Sequence, residues 1–313
     1  MKIKYLFCIT TLLISIESSG QVKTKNITKL TNIESSYPYW SPDGSKIVFQ
    51  SNRLDDNSEV YIMDSDGRHI VRLTNSEGFD EAPIWSPDGN SILFTTDRDG
   101  DHEIYIMDVN GENQRNLTNH PAYDGHPNFS PDGQKIIFNS SRIMSPNHSV
   151  DSSFTRTSNI ELYEMNLDGS NVTRVTNYPS WDTYPDISPD GTKIAFRRRT
   201  VSNIMGKDIG NSEVFIANRD GSEAYNITNH PEHDGWPSWS PDGTKIAFAS
   251  ERERGQNWQI YTIKLDGTEL TRLTEFDSQG AEFAKPQWSP KGDKILCTRT
   301  KDGNVEIYLI ELE

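Results

Sequence analysis

Four aspartates stand at the same place in a pattern that recurs along the chain, each three residues before a proline: Asp80, Asp124, Asp182 and Asp234. Carboxylate oxygens are preferred ligands of Ca²⁺, so a ring of these side chains could hold that ion. Close carboxylates also repel one another. An arginine follows each of them: Arg98, Arg142, Arg198 and Arg252. We therefore expect Asp–Arg pairs that brace neighbouring loops, with a calcium ion as the alternative and no other cofactor.

Six of the seven histidines fall in the same class of loops: His102, His120, His126, His148, His230 and His233. His120 and His230 occupy one position of the pattern in different copies, and Tyr178 occupies it in a third. This equivalence indicates a role in the repeat, so no metal site is predicted. No Gly-rich phosphate loop, nucleophile elbow or isolated Ser/His/Asp set stands out, and we predict that the protein is not an enzyme.

Basic and aromatic residues concentrate in two insertions and two loops. The insertion at 142–158 carries Arg142, His148, Phe154 and Arg156, and the second, at 200–212, follows a basic triplet that includes Arg198. Trp181 and Trp236 lie in loops between repeats, where aromatic anchors often contact partners. These residues predict a binding rim for a protein or peptide. The alternative is that both insertions are solvated loops.

The pattern behind these positions is a sixfold repeat. Nine-residue segments begin at six positions with the sequences SPDGSKIVF (41), SPDGNSILF (86), SPDGQKIIF (130), SPDGTKIAF (188 and 240) and SPKGDKILC (289). A second segment such as EVYIMDSDG at 59 and a third such as VRLTN at 71 recur between them. Short runs rich in β-branched and aromatic residues, bounded by Pro-Asp-Gly and Asp-Gly turns, predict strands. With the strand before each Ser-Pro, the unit has four strands, which is typical of a β-propeller blade.

The two ends of the sequence predict that the propeller closes into a ring. NITKLTN at 26 matches the third segment, and VEIYLIEL at 305 matches the second. Paired, they complete a sixth blade and remove the open edge. We therefore predict an all-β fold of six four-stranded antiparallel blades over residues 21–313. In such a ring the four aspartates would surround the mouth of the central channel, on the face that carries the inter-blade loops.

These segments resemble the repeats of TolB-like propellers, and related repeats occur in the propellers of tricorn-type and prolyl-oligopeptidase-type peptidases. The resemblance covers residues 26–313. It does not extend to the small α/β domain that precedes the propeller in TolB. It implies a protein-binding scaffold with a partner in the cell envelope, and only loosely a role in the Tol–Pal system. Some propeller lyases use a histidine-bound metal, so the alternative function is a lyase or hydrolase acting on an acidic oligosaccharide.

The remaining features concern compartment and partners. Lys2 and Lys4 precede an apolar run over 5–16 and small residues at 18–20, which is the layout of a signal peptide over residues 1–20. We therefore expect a periplasmic or secreted monomer with no membrane span after signal removal. A net charge of −15 argues against nucleic acid as a partner. Cys297 replaces the phenylalanine of the other repeats and is predicted to be a buried, inert thiol.

Overall fold

The computed structural model describes residues 22–54, 57–142, 159–204, 207–253, 257–275 and 280–313, and in these ranges every regular element is a β-strand. Blade 1 contains β2 (Ser36–Trp40), β3 (Lys46–Ser51), β4 (Glu59–Asp64) and β5 (Val71–Arg72); blade 2 contains β6 (Asp80–Trp85), β7 (Ser91–Thr96), β8 (Glu103–Asp108) and β9 (Arg115–Asn116). Blade 3 contains β10 (Asp124–Phe129), β11 (Lys135–Ser140), β12 (Glu161–Asn166) and β13 (Thr173–Arg174); blade 4 contains β14 (Asp182–Ile187), β15 (Lys193–Ile204), β16 (Lys207–Asn218) and β17 (Tyr225–Asn226). Blade 5 contains β18 (Asp234–Trp239), β19 (Lys245–Ser250), β20 (Gln259–Lys264) and β21 (Thr271–Arg272); blade 6 contains β22 (Glu282–Trp288), β23 (Lys294–Lys301), β24 (Asn304–Leu312) and β1 (Thr24–Lys29).

The blades form a closed ring, as the repeats predict. Each blade is one antiparallel sheet with its strands in chain order, except that β1 supplies the outermost strand of blade 6. The pairing of β1 with β24 places Ile27 opposite Ile310. The innermost strands of successive blades lie side by side, and β22 lies beside β2. The two ends of the propeller therefore pair with each other, and no sheet is left with an unpaired strand from an incomplete blade.

The core lies between the faces of adjacent blades. In β3 the consecutive residues Ile47, Val48 and Phe49 are all buried, so both sides of the strand are covered. A strand packed on two faces reads as a continuous apolar run rather than an alternating one. Cys297 occupies the corresponding position of β23 and is a free, buried cysteine. Burial raises the pKa of its thiol, which agrees with the predicted inert role.

The Ser-Pro-Asp-Gly segments form the tight turns between the first and second strands. In the first copy the Ser41 hydroxyl donates to Asp43 at 2.6 Å and accepts the amide of Lys46 at 2.9 Å. Gly44 adopts φ 72°, a conformation that suits glycine. The hydrogen bonds from Ser41 and Ser45 lower the pKa of Asp43 to about 2. The repeated aspartate of this turn therefore has a structural role.

The insertion in blade 4 extends a hairpin. Strands β15 and β16 pair from Lys193↔Asn218 outwards to Ile204↔Lys207, so most of the segment predicted as a loop continues the blade as a two-stranded projection. The other insertion, at 143–158, lies outside the described residues. Nowhere in the described chain is there a helix of the length and apolarity needed to cross a membrane.

Candidate functional site in the central channel

Each innermost strand bulges at the residue directly before its proline. The strand register shifts there in all six blades, and φ is positive at each of these six residues. They are Tyr37, Ala82, His126, Tyr184, Trp236 and Lys285, with φ between 48° and 55°. Positive φ is rare for large side chains and marks positions that the surrounding structure holds in place. All six side chains line the channel, and we call them the channel ring.

The second strand of the preceding blade supports part of this ring. Its polar side chains accept hydrogen bonds from the backbone amides of ring residues: Gln50 from Ala82 (2.8 Å), Thr95 from His126 (3.2 Å) and Asn139 from Tyr184 (3.5 Å). Blade 4 breaks the pattern, because Arg197 stands at this position and a guanidinium cannot accept a hydrogen bond. Arg197 instead lies over the Trp236 ring, 5.4 Å from its centroid. It makes no hydrogen bond or ion pair with any described residue.

An aromatic cluster fills the middle of the ring. The Tyr37 hydroxyl lies 3.3 Å from His126 Nε2, and the Tyr123 hydroxyl lies 3.2 Å from His126 Nδ1. The Tyr184 ring meets His126 edge-on at 4.3 Å and lies 5.7 Å from Trp236. Burial, with a smaller effect of the Lys285 charge, lowers the pKa of His126 to about 3. This histidine is therefore neutral at physiological pH and acts as a hydrogen-bonding core residue.

The channel ring and the Ser-Pro turns line two different cavities. The cavity at the ring measures about 90 Å³ and lies near the starts of the inner strands, where the inter-blade loops enter. The second measures about 370 Å³ and is lined at the other ends of these strands by the six Ser-Pro segments. The second mouth repeats nearly the same residues six times, whereas the ring presents six positions with five different residue types. Specific recognition is therefore expected at the ring.

Lys285 brings a cation into this cavity. Its ammonium lies 3.5 Å from the centroid of the Tyr37 ring and donates to the Ser36 hydroxyl at 2.7 Å. Burial lowers the pKa of Lys285 to about 7, and the negative charge of Glu81 opposes this only in part. The half-buried amine is thus balanced between its charged and neutral forms near neutral pH.

The four predicted aspartates are buried in ion pairs and do not line the channel. Each has no exposed surface and bonds an arginine of its own blade: Asp80 with Arg98 (2.7 Å), Asp124 with Arg142, Asp182 with Arg198 (2.6 Å) and Asp234 with Arg252 (3.2 Å). The expected Asp–Arg pairs are present, and the four aspartates predicted at the channel mouth are not among the residues that line either channel cavity. The carboxylates that suggested calcium are already bound to guanidinium groups.

The other predicted binding residues divide into three groups. Arg142 and Arg198 are held in these ion pairs, so neither presents a free charge on the rim. Trp181 lies half-buried beneath the Arg199 guanidinium, 4.9 Å from the ring centroid, and Trp236 belongs to the channel ring. Three further residues lie outside the described residues: His148, Phe154 and Arg156.

The histidines of the loop face are dispersed. His120 and His230 each accept a backbone amide two residues ahead, at 3.1 and 3.2 Å, which confirms their equivalent place in the repeat. His233 lies 3.2 Å from the Ser212 hydroxyl and stacks near Trp258. Within the described ranges, no group of three or more His, Cys, Asp or Glu side chains is arranged to hold a metal ion.

Sequence reasoning missed most of the channel ring. The signal was the repeated proline of the inner strands, which is present in all six blades while the residue before it varies. Tyr37, Tyr184 and Lys285 could have been selected as varying positions in an otherwise regular pattern. Arg197 could have been selected in the same way, as the charged residue among polar or small equivalents.

Comparison with known proteins agrees with this architecture. A family model described as the TolB beta propeller domain matches residues 13–103, and one described as the tricorn protease N-terminal beta propeller domain matches residues 154–283. The crystal structure of TolB from Acinetobacter baumannii is 27% identical, with a TM-score of 0.63 over 84% of this chain and 57% of that one. An oligogalacturonate lyase in complex with manganese shares the fold at 16% identity and a TM-score of 0.62, over 94% of this chain and 96% of that one.

A curated relative, an uncharacterized peptidase of Bacillus subtilis named YuxL, is 34% identical over 37% of this chain and 17% of its own length. The chain spans less than half the length of the curated relatives it matches. The closed ring of six four-stranded sheets defines the class of the protein, a six-bladed β-propeller. Its Ser-Pro-Asp-Gly repeats are similar to those of TolB propellers, and the matches to TolB sequences and structures support a TolB-like six-bladed propeller.

Proposed function

We propose that this TolB-like propeller is an exported scaffold that binds a protein or peptide partner on its loop face, with the channel ring as the specific pocket. The observation that supports this most directly is the ring itself. One cavity collects a tryptophan and two tyrosines on a rigid frame, and such aromatic residues dominate the energetics of protein interfaces.

The alternative, a metal-dependent lyase acting on an acidic oligosaccharide, has less support. The likeness to the oligogalacturonate lyase is at 16% identity and concerns the fold alone. The described histidines are spread over separate contacts, and His126 is enclosed by tyrosines. Metal analysis of the purified protein with a turnover assay on uronate oligomers is the check. Bound transition metal together with metal-dependent turnover would replace the scaffold proposal.

Partner capture tests the pocket. The mature chain is used as bait in envelope extract, and one reproducible protein is expected to bind. Replacing Ala82 with tyrosine fills the cavity with a side chain that two other ring positions already carry at the same φ. We expect this variant, and Trp236→Ala, to lose at least about tenfold in affinity for the captured partner, as loss of an interface anchor does.

The matched control is Tyr225→Ala. Tyr225 is an exposed aromatic residue on the outermost strand of blade 4, away from the channel. Its variant is expected to capture the partner as the wild type does. Thermal unfolding of each variant separates lost binding from lost folding. Equal capture by the wild type and by a folded Ala82→Tyr protein would remove the channel ring from the proposal.

The insertion at 143–158 gives a separate prediction. Shortening it to the length of the blade 2 loop is expected to abolish partner capture while changing the free energy of unfolding by less than about 1 kcal/mol, as surface changes usually do. Affinity measurement and denaturant unfolding of the shortened protein are the readouts. Undiminished capture would show that this loop has no part in the binding surface.

A further inference from the structure

Lys285 is a cation without a nearby counter-charge. Among the described residues, its ammonium contacts only the Tyr37 ring face and the Ser36 hydroxyl. The carboxylate of Glu81 acts on its charge from beyond ion-pair distance and is itself partly desolvated, because burial raises the pKa of Glu81. Several other buried or half-buried cations of the fold are paired directly, such as Arg98 with Asp80 at 2.7 Å and Arg198 with Asp182 at 2.6 Å.

An incompletely paired ammonium in such a place is unfavourable. Removing a charge from water costs free energy that only a close opposite charge or several hydrogen bonds can offset. The Lys285 ammonium has three N–H donors. Among the described residues it makes one hydrogen bond and one cation–π contact. The cavity beside it is open to the loop face, so a ligand is able to supply the missing negative group.

We propose that the channel ring binds a carboxylate of a partner peptide, either the chain terminus or an acidic side chain, with the Lys285 ammonium as its counter-charge. This inference rests on the proposed partner-binding function and names the chemical group that the pocket recognises. The ammonium uses one of its three donors on Ser36, so two remain for a ligand in the same cavity. A carboxylate has two oxygens and accepts several hydrogen bonds, so it suits a site with unused donors.

Arg197 extends the positive character of the loop-face end. It stands where blades 1 to 3 use a polar side chain that supports the ring, and its guanidinium lies on the Trp236 ring. Burial lowers the pKa of Arg197, and the carboxylate of Glu251 acts on its charge without bonding it. Two cations therefore lie on aromatic side chains of the channel ring, Lys285 on Tyr37 and Arg197 on Trp236. The protein as a whole has a net charge of −15. The attraction for an anion is local to the channel.

The size of the cavity favours a peptide group over a sugar acid. Its volume of about 90 Å³ is smaller than the ~150 Å³ of an engineered cavity that holds benzene. A carboxylate with one or two attached carbons enters such a space. A uronate ring is larger than benzene and fits the enclosed part of the cavity less well than a peptide carboxylate does.

Short peptides of defined charge test the proposal. Binding of N-acetyl-Gly-Ala-Ala with a free carboxyl terminus is compared by calorimetry with its terminal amide, at about pH 6, where Lys285 is charged. N-acetyl-Ala-Glu-Ala amide is compared with the Gln peptide to distinguish an acidic side chain from a terminus. One carboxylate peptide is expected to bind at least about tenfold more tightly than its uncharged match. Trigalacturonate forms a third arm.

Two lysine variants complete the experiment. Lys285→Met is expected to abolish the preference for the carboxylate peptide. Lys291→Met, which removes the same charge from an exposed turn of the same blade, is expected to keep it. Equal binding of charged and uncharged peptides, no binding of any peptide, or an unchanged preference in Lys285→Met would overturn the carboxylate site. Binding of trigalacturonate alone would overturn its assignment to a peptide.

These outcomes are separable from the proposed function. Capture of a partner that is sensitive to Ala82→Tyr but not to Lys285→Met leaves the binding pocket in place and removes only the carboxylate. Loss of partner capture in both Ala82→Tyr and Lys285→Met would show that the captured partner uses the lysine. A partner that binds regardless of either variant contradicts the pocket, whatever the peptides do.

Discussion

Replacing Arg198 with methionine is expected to lower the free energy of unfolding by about 3–5 kcal/mol, because the change leaves a buried carboxylate without its partner. Asp182 has no exposed surface and accepts two hydrogen bonds from Arg198, at 2.7 and 2.6 Å. The guanidinium also packs between the rings of Tyr178, Phe196 and Phe215. Methionine keeps much of this apolar contact but supplies no charge. Chemical denaturation at neutral pH measures the loss.

The effect of Arg198→Met has a predictable pH dependence. Burial already raises the pKa of Asp182 despite Arg198, and removing the arginine raises it further. A carboxyl group whose pKa is raised by folding binds its proton more tightly in the folded state, so stability falls as pH rises through the folded pKa. The destabilisation is therefore expected to be smaller at acidic pH, where the carboxyl is neutral, than at neutral pH.

The neighbouring arginine is the control for this variant. Arg197 lies on the same strand, carries the same charge and has no ion-pair partner among the described residues. Arg197→Met leaves no buried carboxylate without a partner, so it is expected to lower the free energy of unfolding by less than about 1 kcal/mol, or to raise it by removing a partly desolvated cation. If the two variants were equally stable, the Asp182–Arg198 pair would contribute nothing beyond ordinary packing.

The repeat was sufficient to predict the blades, their number and their closure. The sixfold repeat and its turn residues are local signals in the sequence. The split of blade 6 between the two ends follows because the segment at 26 matches the third repeat segment and the one at 305 matches the second. The Asp–Arg pairs were also predictable, because three of the four span 18 residues across one hairpin. In blade 4 the spacing is 16 residues, because Arg198 lies directly opposite Asp182 on the lengthened strand β15.

The channel was not predictable in the same way. Sequence periodicity located the start of each inner strand, but a bulge changes which side chain faces inward. The bulge before each proline turns the preceding residue into the channel, two positions after the aspartates that had been expected there. Tyrosine, tryptophan and lysine at positive φ run against backbone preference, and residues before proline favour extended conformations. No propensity argument would have chosen this geometry.

The second large effect concerns Lys285 and the stability of the protein as a function of pH. The lysine pKa is about 7 in the folded protein and about 10.4 in an unfolded chain. Below about pH 7 the amine is charged in both states, and the full free-energy cost of partly burying this charge opposes folding. Between about pH 7 and 10 the unfolded state binds one more proton, so this contribution makes stability rise with pH.

Lys285→Met removes this contribution. We expect the variant to be more stable than the wild type at about pH 7, by about 3 kcal/mol once partial solvent contact is allowed for, and the difference to shrink towards pH 10. Several charged or titratable groups act on or near this site: Glu81, His102, His126, Tyr37 and Tyr123. The Lys285 charge acts on Glu81 and His126, so the two proteins are compared between about pH 7 and 10, above the ordinary titration range of carboxyl and imidazole groups.

Denaturant unfolding of the wild type, Lys285→Met and Lys291→Met at intervals between about pH 7 and 10 provides the measurement. The Lys291 variant is expected to differ from the wild type by an amount that does not change with pH in this range. A pH-independent difference for Lys285→Met would mean that the ammonium is fully solvated, and a carboxylate would then gain nothing by approaching it. A difference that closes with rising pH would instead show an unfavourable charge held in the channel. Neutralising that charge is the source of binding energy available to an anionic ligand.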